Sequence, residues 1–251
     1  LNVKNYVVPE SYIEDIDQEV TPMSLGLDTD FNFLTVGQIT GASPETDRKN
    51  IFYLIKWFCE EFKDDKDVGL IVKTNSGKAT KIDKKMTKTT MQRVLEEVRP
   101  GEYPKVHLLH GSMTSKEMAS LYKEKSIKAF LTITRGEGFG LPILEAAASG
   151  IPVIATNWSA QTDYLSLGKF IPLNYRLNDV HQSKIDGNIF VQGAKWAEVD
   201  ESDFKKKIKK FRNNSALPKK WADDLKLKIC EKYSQKSIEM YYDNVFRELL
   251  E

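Results

Sequence analysis

The feature that most constrains the fold is the run from Ala129 to Ala155. An apolar stretch at 129–133 leads into Thr134-Arg135-Gly136-Glu137-Gly138-Phe139-Gly140-Leu141-Pro142, and a second apolar stretch follows Gly150 at 151–155. Short apolar runs bounded by glycine read as buried strands, with a glycine-rich turn and a short helix between them. Pro142 suits the first helical position, whose N–H lacks an intrahelical partner in any case. Gly150 suits the position just past the helix end, where a positive φ is common.

The same alternation extends along the chain. Strands are expected at 31–36, ended by Gly37, at 68–72, at 106–109, and at 170–173. Helices are expected at 48–62, at 83–99 with Pro100-Gly101 as the stop, and at 115–124 with Ser115 as a cap. Strands alternating with helices imply βαβ units, hence an α/β, Rossmann-like, doubly wound parallel sheet of about six strands. Residues 1–30 show no period and read as a linker packed on a surface. Residues 174–193 are polar and read as an irregular surface excursion, followed by C-terminal helices at 200–211, 221–233 and 237–250.

Chemistry concentrates at the central turn. A helix that starts just after three glycines offers unpaired N–H groups and a partial positive charge to a ligand that can approach closely. Glu137 in the turn and Glu145 about one turn into the helix add two carboxylates. A bare phosphate fits two carboxylates poorly. A ligand with both phosphates and vicinal hydroxyls fits them, because an ionised carboxylate accepts hydrogen bonds from hydroxyl groups. A nucleotide sugar has that chemistry. On spacing alone, a glycine-rich loop that merely turns the chain stays open as the alternative.

Other candidates surround this turn. Arg48 and Lys49 fall in the first turn of the expected helix, the wrong sign for its dipole. A bound phosphate would reconcile them, or they are solvated cations at a cost of a few tenths of a kcal/mol. Lys73 stands at the carboxyl end of its strand, the edge where ligands collect in open parallel sheets. His110 at a strand end reads either as a ligand contact or as structural. Residues 157–164 should form a loop and helix start at the same edge. The lysines at 78–88 read as a solvated face. Those at 205–210 read as a solvated face, or as a contact for an acidic lipid surface or partner.

Composition sets outer bounds. A net charge of +1 over 251 residues gives no bulk attraction to nucleic acid. The 41% hydrophobic content contains no apolar run near the ~20 residues that cross a membrane. Cys59 and Cys230 have no metal-ligand spacing, and a reducing, cytoplasmic setting is the expectation. The first residue is Leu rather than Met, consistent with a fragment of a longer protein.

The central turn resembles the Glu-x7-Glu signature of the C-terminal, donor-binding domain of GT-B fold glycosyltransferases of the GT4 type. Here it spans Glu137 to Glu145, and the tail at 146–155 looks like the family's continuation. Val7-Val8-Pro9 is similar to the family's interdomain hinge. The resemblance implies one half of a GT-B fold, with a hinge segment at 1–30, the donor domain at 31–215 and C-terminal helices at 216–251. It implies that Glu145 holds the ribose hydroxyls and that Glu137 faces the transferred sugar. Gly138 and the backbone N–H groups of Phe139, Gly140 and Leu141 would meet the diphosphate. Lys49 with Arg48 would neutralise the leaving group. Family members often carry Arg after the glycine that ends the first strand; after Gly37 this chain has Gln38, and Arg48 or Lys73 would compensate. The base would lie against the segment from His110 to Met113.

The implied reaction is a metal-free, retaining transfer of a hexosyl-type group from a UDP or GDP sugar, with no tightly bound cofactor. The implied acceptor is a sugar, lipid or protein, bound with help from an N-terminal acceptor domain, and peripheral membrane association is compatible with it. A non-catalytic nucleotide-sugar or partner-binding module is the alternative.

Overall fold

A computed structural model describes residues 5–99 and 101–250. Residues 1–4 of the expected linker, the helix stop Pro100 and Glu251 lie outside the described residues. Six strands, β1 (Phe31–Val36), β2 (Val68–Thr74), β3 (Lys105–His110), β4 (Ile127–Thr132), β5 (Val153–Thr156) and β6 (Ile171–Leu173), form one sheet. Their order is β3-β2-β1-β4-β5-β6 and every pairing is parallel. The chain winds outward from β1 to β3, returns to β4 beside β1, and then winds the other way. This is the doubly wound sheet expected from the alternation, and its order reverses between β1 and β4.

Strand side chains alternate between two layers. One layer packs α1 (Ile51–Glu61), α2 (Lys81–Val98) and α6 (Glu201–Asn213) against residues such as Phe33, Leu70 and Leu131. Phe33 anchors it, meeting Phe58 edge-on at 5.4 Å and Phe211 at 5.7 Å. The other layer packs α3 (Ser115–Tyr122), α4 (Leu141–Ala148), α5 (Gln161–Leu165) and α7 (Ala216–Tyr233) against Leu34, Ile71 and Phe130. Burial of this many apolar side chains, each contributing roughly 1.5–3 kcal/mol, is the main force holding the layers together.

The N-terminal segment is irregular apart from one 3-10 turn at Glu14–Ile16, but it is more than a surface strap. Tyr12, Ile16 and Val20 are buried in the second layer. Helix α7 begins at Ala216, five residues before the expected start at 221, because Pro218 falls in its first turn, where no N–H is needed. Its Ala222, Leu225 and Ile229 are buried, and Lys219 Nζ donates to the Gly150 carbonyl at 2.7 Å. In α8 (Gln235–Leu250) only Ile238 is buried among the described residues, while Tyr241, Tyr242, Phe246 and Leu249 are exposed. The lysines of α6 are largely engaged within the chain: Lys205 pairs with Glu60 and Glu201, Lys207 with Asp203, and Lys209 with Glu61.

The segment at 174–193 departs from expectation. It contains β7 (Tyr175–Asp179), which pairs antiparallel with β8 (Lys195–Val199) from Tyr175 opposite Val199 to Asp179 opposite Lys195. Four of the five β7 residues are exposed, so no apolar alternation marks the strand; its partner β8 holds it, and one buried cation anchors β8. That cation is Arg135, only 2% exposed. Its guanidinium donates to the Pro44 and Asp47 carbonyls at 2.6 and 2.8 Å. It pairs with Glu198 through Nε at 2.6 Å and Nη2 at 3.1 Å, and lies 5.6 Å from the Trp196 ring centroid. The Arg135 carbonyl also accepts from Ala197 N–H at 3.0 Å.

Removing one partner of a buried ion pair strands the others without compensation and typically costs 3–5 kcal/mol. Arg135→Ala should therefore lower unfolding stability by about 3 kcal/mol in urea titrations, and a loss below about 1 kcal/mol would contradict this account of the hairpin.

Candidate functional site

The loops that follow β1 and β4 meet at the carboxyl edge of the sheet, where the strand order reverses. In the first loop the organiser is Asp47, which is fully buried. Its Oδ1 accepts from the N–H and the hydroxyl of Thr40 at 2.9 and 2.8 Å, and its Oδ2 accepts from Ile51 N–H at 2.8 Å. Asn50 takes a left-handed conformation with φ of 58°, and α1 begins only at Ile51. Arg48 and Lys49 therefore precede the helix and are not in its first turn as expected, and the dipole conflict does not arise.

Their charge is answered by Glu137. Lys49 Nζ donates to its two carboxylate oxygens at 2.6 and 2.8 Å, and Arg48 Nη1 lies 3.0 Å from Oε2 while also donating to the Gly136 carbonyl. The Glu137 side chain is 7% exposed. Burial works to raise its pKa, but Lys49, Arg48 and a hydrogen bond from Thr134 together hold it below the ordinary value. Two cations on one carboxylate leave a net positive charge at this edge. Ser159 fixes the backbone here, accepting from Glu137 N–H at 3.0 Å and donating to the Glu137 carbonyl at 2.7 Å. Arg135 N–H donates to the Arg48 carbonyl at 2.9 Å, so the two loops are tied together directly.

Along the second loop, Gly140 caps α4 with φ of 87°. A side chain there would also sit 2.9 Å from Tyr164 Oη. Only glycine meets both conditions easily, and this sets the helix start at Leu141, with Pro142 second and not first. Proline is tolerated there for the same reason, because its missing N–H is one of the helix-start orphans. Tyr164 Oη donates to the carbonyls of Phe139 and Gly140 at 3.1 and 2.9 Å. At Gly138 an added Cβ would meet nothing within 4 Å, so the backbone faces open space. The first-turn N–H of Leu141 has no intrahelical acceptor, which leaves it available to an anion.

Glu145 follows on α4 and is 8% exposed. Its Oε2 accepts from Tyr122 Oη at 2.9 Å. No cation among the described residues balances it: burial pushes its pKa up to about 7, and the Tyr122 hydrogen bond only partly opposes this. The two glutamates thus differ sharply, one held ionised by cations and one poised to take up a proton.

The remaining sequence candidates separate into near and far. Gly37 lies under the Lys49 stem, with Cγ and Cδ at 3.6 Å from where its Cβ would be, and its N–H donates to the Lys73 carbonyl at 3.0 Å. Gln38 follows it and is exposed. Lys73 is 6% exposed and donates to the Gly111 carbonyl; burial lowers its pKa, opposed by Glu117. That contact turns it toward the loop after β3, where His110 Nε2 lies 3.4 Å from Ser76 Oγ. Met113 packs against the same apolar layer as Phe139. Strand β3 is two strands from β1, roughly 10 Å at ordinary strand spacing, so these residues form a neighbouring group. Sequence reasoning missed Asp47, Arg135, Ser159, Tyr122 and Tyr164. Only Asp47 carried a local signal, an acidic residue just ahead of a helical apolar pattern.

A family model described as glycosyl transferases group 1 matches residues 46–227. The chain belongs to this family. Solved structures agree at the level of fold. A sucrose-phosphate synthase from Thermosynechococcus elongatus superposes with a TM-score of 0.68 at 14% identity, covering 98% of this chain and 52% of its own. The Anabaena protein HepE, solved in complex with UDP and glucose, gives 0.60 at 13% identity, covering 96% and 54%. The C-terminal domain of a glycosyl transferase group 1 family protein from Francisella tularensis gives 0.50 at 18% identity, covering 90% and 95%. The chain thus spans about half the length of the first two. No curated protein sequence matches it significantly. Among the described residues of this group 1 chain, no helix is long and apolar enough to cross a membrane.

The buried Glu145 predicts an unusual pH dependence. Its folded pKa of about 7 lies above the ordinary 4.5, so between these values the folded state holds the extra proton. Stability from this group is present below pH 4.5 and is lost as pH rises to about 7, by about 3 kcal/mol in all. Glu145→Gln should therefore be about 1–3 kcal/mol more stable than the parent at pH 8 and nearly equal to it at pH 4.5, read by urea unfolding at both pH values. Parallel stability at the two would contradict the assignment.

Proposed function

We propose that this group 1 chain is the donor-binding half of a GT-B glycosyltransferase that transfers a sugar from a nucleoside-diphosphate sugar to an acceptor, with retention and without a metal ion. The observation that carries the reading is one sheet edge. There Lys49 and Arg48 share a single carboxylate beside an open glycine loop, a helix start and a buried carboxylate with no cation partner among the described residues.

In this reading the diphosphate lies against the backbone from Gly138 to Leu141. The N–H groups and the net positive Lys49–Arg48–Glu137 cluster stabilise the charge that builds on the β-phosphate as the bond to the anomeric carbon breaks. Such preorganised charge acts most strongly in the transition state. Glu145 accepts hydrogen bonds from the ribose hydroxyls, which would replace the water a buried carboxylate lacks. Glu137 faces the transferred sugar, and the base lies toward His110 and Met113. The exposed Gln38 supplies no cation to this cluster, and Arg48 takes that part, since Lys73 is turned to Gly111. The donor base is uracil or guanine; the HepE structure with UDP and glucose supports uracil as the first to test. The Francisella relative, itself a C-terminal domain, supports assigning residues 31–215 to the donor half, with 1–30 as the hinge segment. The exposed apolar face of α8 suits helices at 216–251 that also meet an N-terminal acceptor domain.

Calorimetric titration with UDP and GDP tests the site. One of them should saturate with affinity unchanged by EDTA, and Glu145→Ala should weaken it about tenfold or more, the effect of losing a charge-assisted hydrogen bond. In the full-length protein Lys49→Ala should lower kcat/KM by about a hundredfold, the usual scale for one preorganised donor. Unchanged binding in Glu145→Ala would sink the assignment. Binding without turnover in the full-length protein would favour a non-catalytic nucleotide-sugar module.

A further inference from the structure

A cavity of about 600 Å³ lies between α1 and the β7–β8 hairpin, and the donor reading leaves it unused. Its size suits a ligand of one or two sugar rings. Arg135 and Glu198 line it, so it shares one wall with the loop that carries Arg48 and Lys49. Aromatic rings contribute from both sides. Tyr53 and Trp57 of α1 stack on one another at 5.4 Å, and Tyr175 and Trp196 face in from the hairpin.

Three observations define what such a cavity would take. First, aromatic walls present apolar faces, and rings with a polar tip serve where one end of a ligand is apolar and the other is wet. Second, the hairpin supplies the exposed polar side chains of Asn178 and His181, while Trp196, 4% exposed, has a buried indole N–H with no hydrogen-bond partner among the described residues. An unanswered buried donor is costly. Third, the five carboxylates of the lining meet two guanidiniums within it and two lysines paired from outside it, Lys195 on Asp179 and Lys205 on Glu201, so among the described residues no excess cation favours a phosphate or any other anion. Carboxylates and amides with aromatic platforms suit vicinal hydroxyls on a ring with apolar C–H faces.

We infer that this cavity is a carbohydrate subsite, separate from the donor site, which takes a neutral monosaccharide or disaccharide. The inference does not rest on the nucleotide reading and stands or falls without it. Missing any hydrophobic period, β7 has no core to build, yet it is held by an antiparallel partner that a buried arginine anchors. Its place in the fold is to close one side of this cavity.

The test is a titration of the chain with maltose, cellobiose and chitobiose, and with glucose 6-phosphate, in the absence and presence of saturating UDP, followed by saturation-transfer NMR. At least one disaccharide should saturate below about 20 mM, the weak range of small polar ligands, with affinity unaltered by UDP. Tyr175→Ala should weaken that binding about tenfold while UDP binding is retained. Because Tyr175 also packs on Trp158 at 5.5 Å, Asn178→Lys at an exposed position is the second variant, with the same expected loss. The inference is overturned if none of the three disaccharides saturates, if binding survives both substitutions, if UDP displaces the sugar, or if glucose 6-phosphate binds more tightly than its neutral counterparts.

Discussion

The arrangement depends on one buried guanidinium. Arg135 sits in the loop just after β4 and is only 2% exposed, so nearly all of its bonds must be made within the protein. It meets this demand by drawing in the carbonyls of Pro44 and Asp47 from the loop after β1 and the carboxylate of Glu198 from β8. Three segments distant in sequence are thereby brought to one point. The loop it holds is the one that carries Arg48 and Lys49, and the residues that follow it in its own loop lead to Glu137. The geometry of the candidate site is thus set from behind, by an interaction that needs no ligand.

Above that anchor, two glutamates separated by seven residues have opposite environments. Glu137 is nearly buried but flanked by two cations, and it stays ionised. Glu145 is nearly buried, the phenol of Tyr122 bonds it, and burial pushes the pKa of its carboxyl up to about 7. The first arrangement stores positive charge near an open backbone. The second holds a carboxylate at an energetic disadvantage that a ligand with hydroxyl groups would relieve. Stability given up at a site in this way is common where function requires the group.

The doubly wound parallel sheet was readable because each strand is a short apolar run and each helix a 3.6-residue pattern, and both are local properties. The βαβ turn at 136–150 was readable because glycine and proline have positional meanings that do not depend on the rest of the chain. Where the reading failed, the cause was bonding that no hydrophobic period records, local around Asp47 and long-range at β7 and Arg135. Arg48 and Lys49 fell outside α1 because a buried Asp47 fixes the helix start at Ile51 through bonds to both ends of the loop. Strand β7 was missed because its residues are nearly all exposed, and its pairing with β8 is closed across fifteen intervening residues and a buried arginine. Of the candidate site, the residue types around Glu137 and Glu145 were legible. The pairing of Glu137 with both cations was not, since nothing in the sequence states that residues nearly ninety apart meet.

The central claim is that the Lys49–Arg48–Glu137 edge and the turn before α4 form a site for a nucleoside diphosphate. A crystal structure of the chain with UDP, and in parallel with GDP, tests it most directly. The account predicts the diphosphate against the backbone N–H groups of Gly138 to Leu141 within reach of Lys49, and the ribose hydroxyls on Glu145. A nucleotide bound elsewhere on the sheet, or one whose phosphates lie away from both Lys49 and the glycine loop, would contradict it.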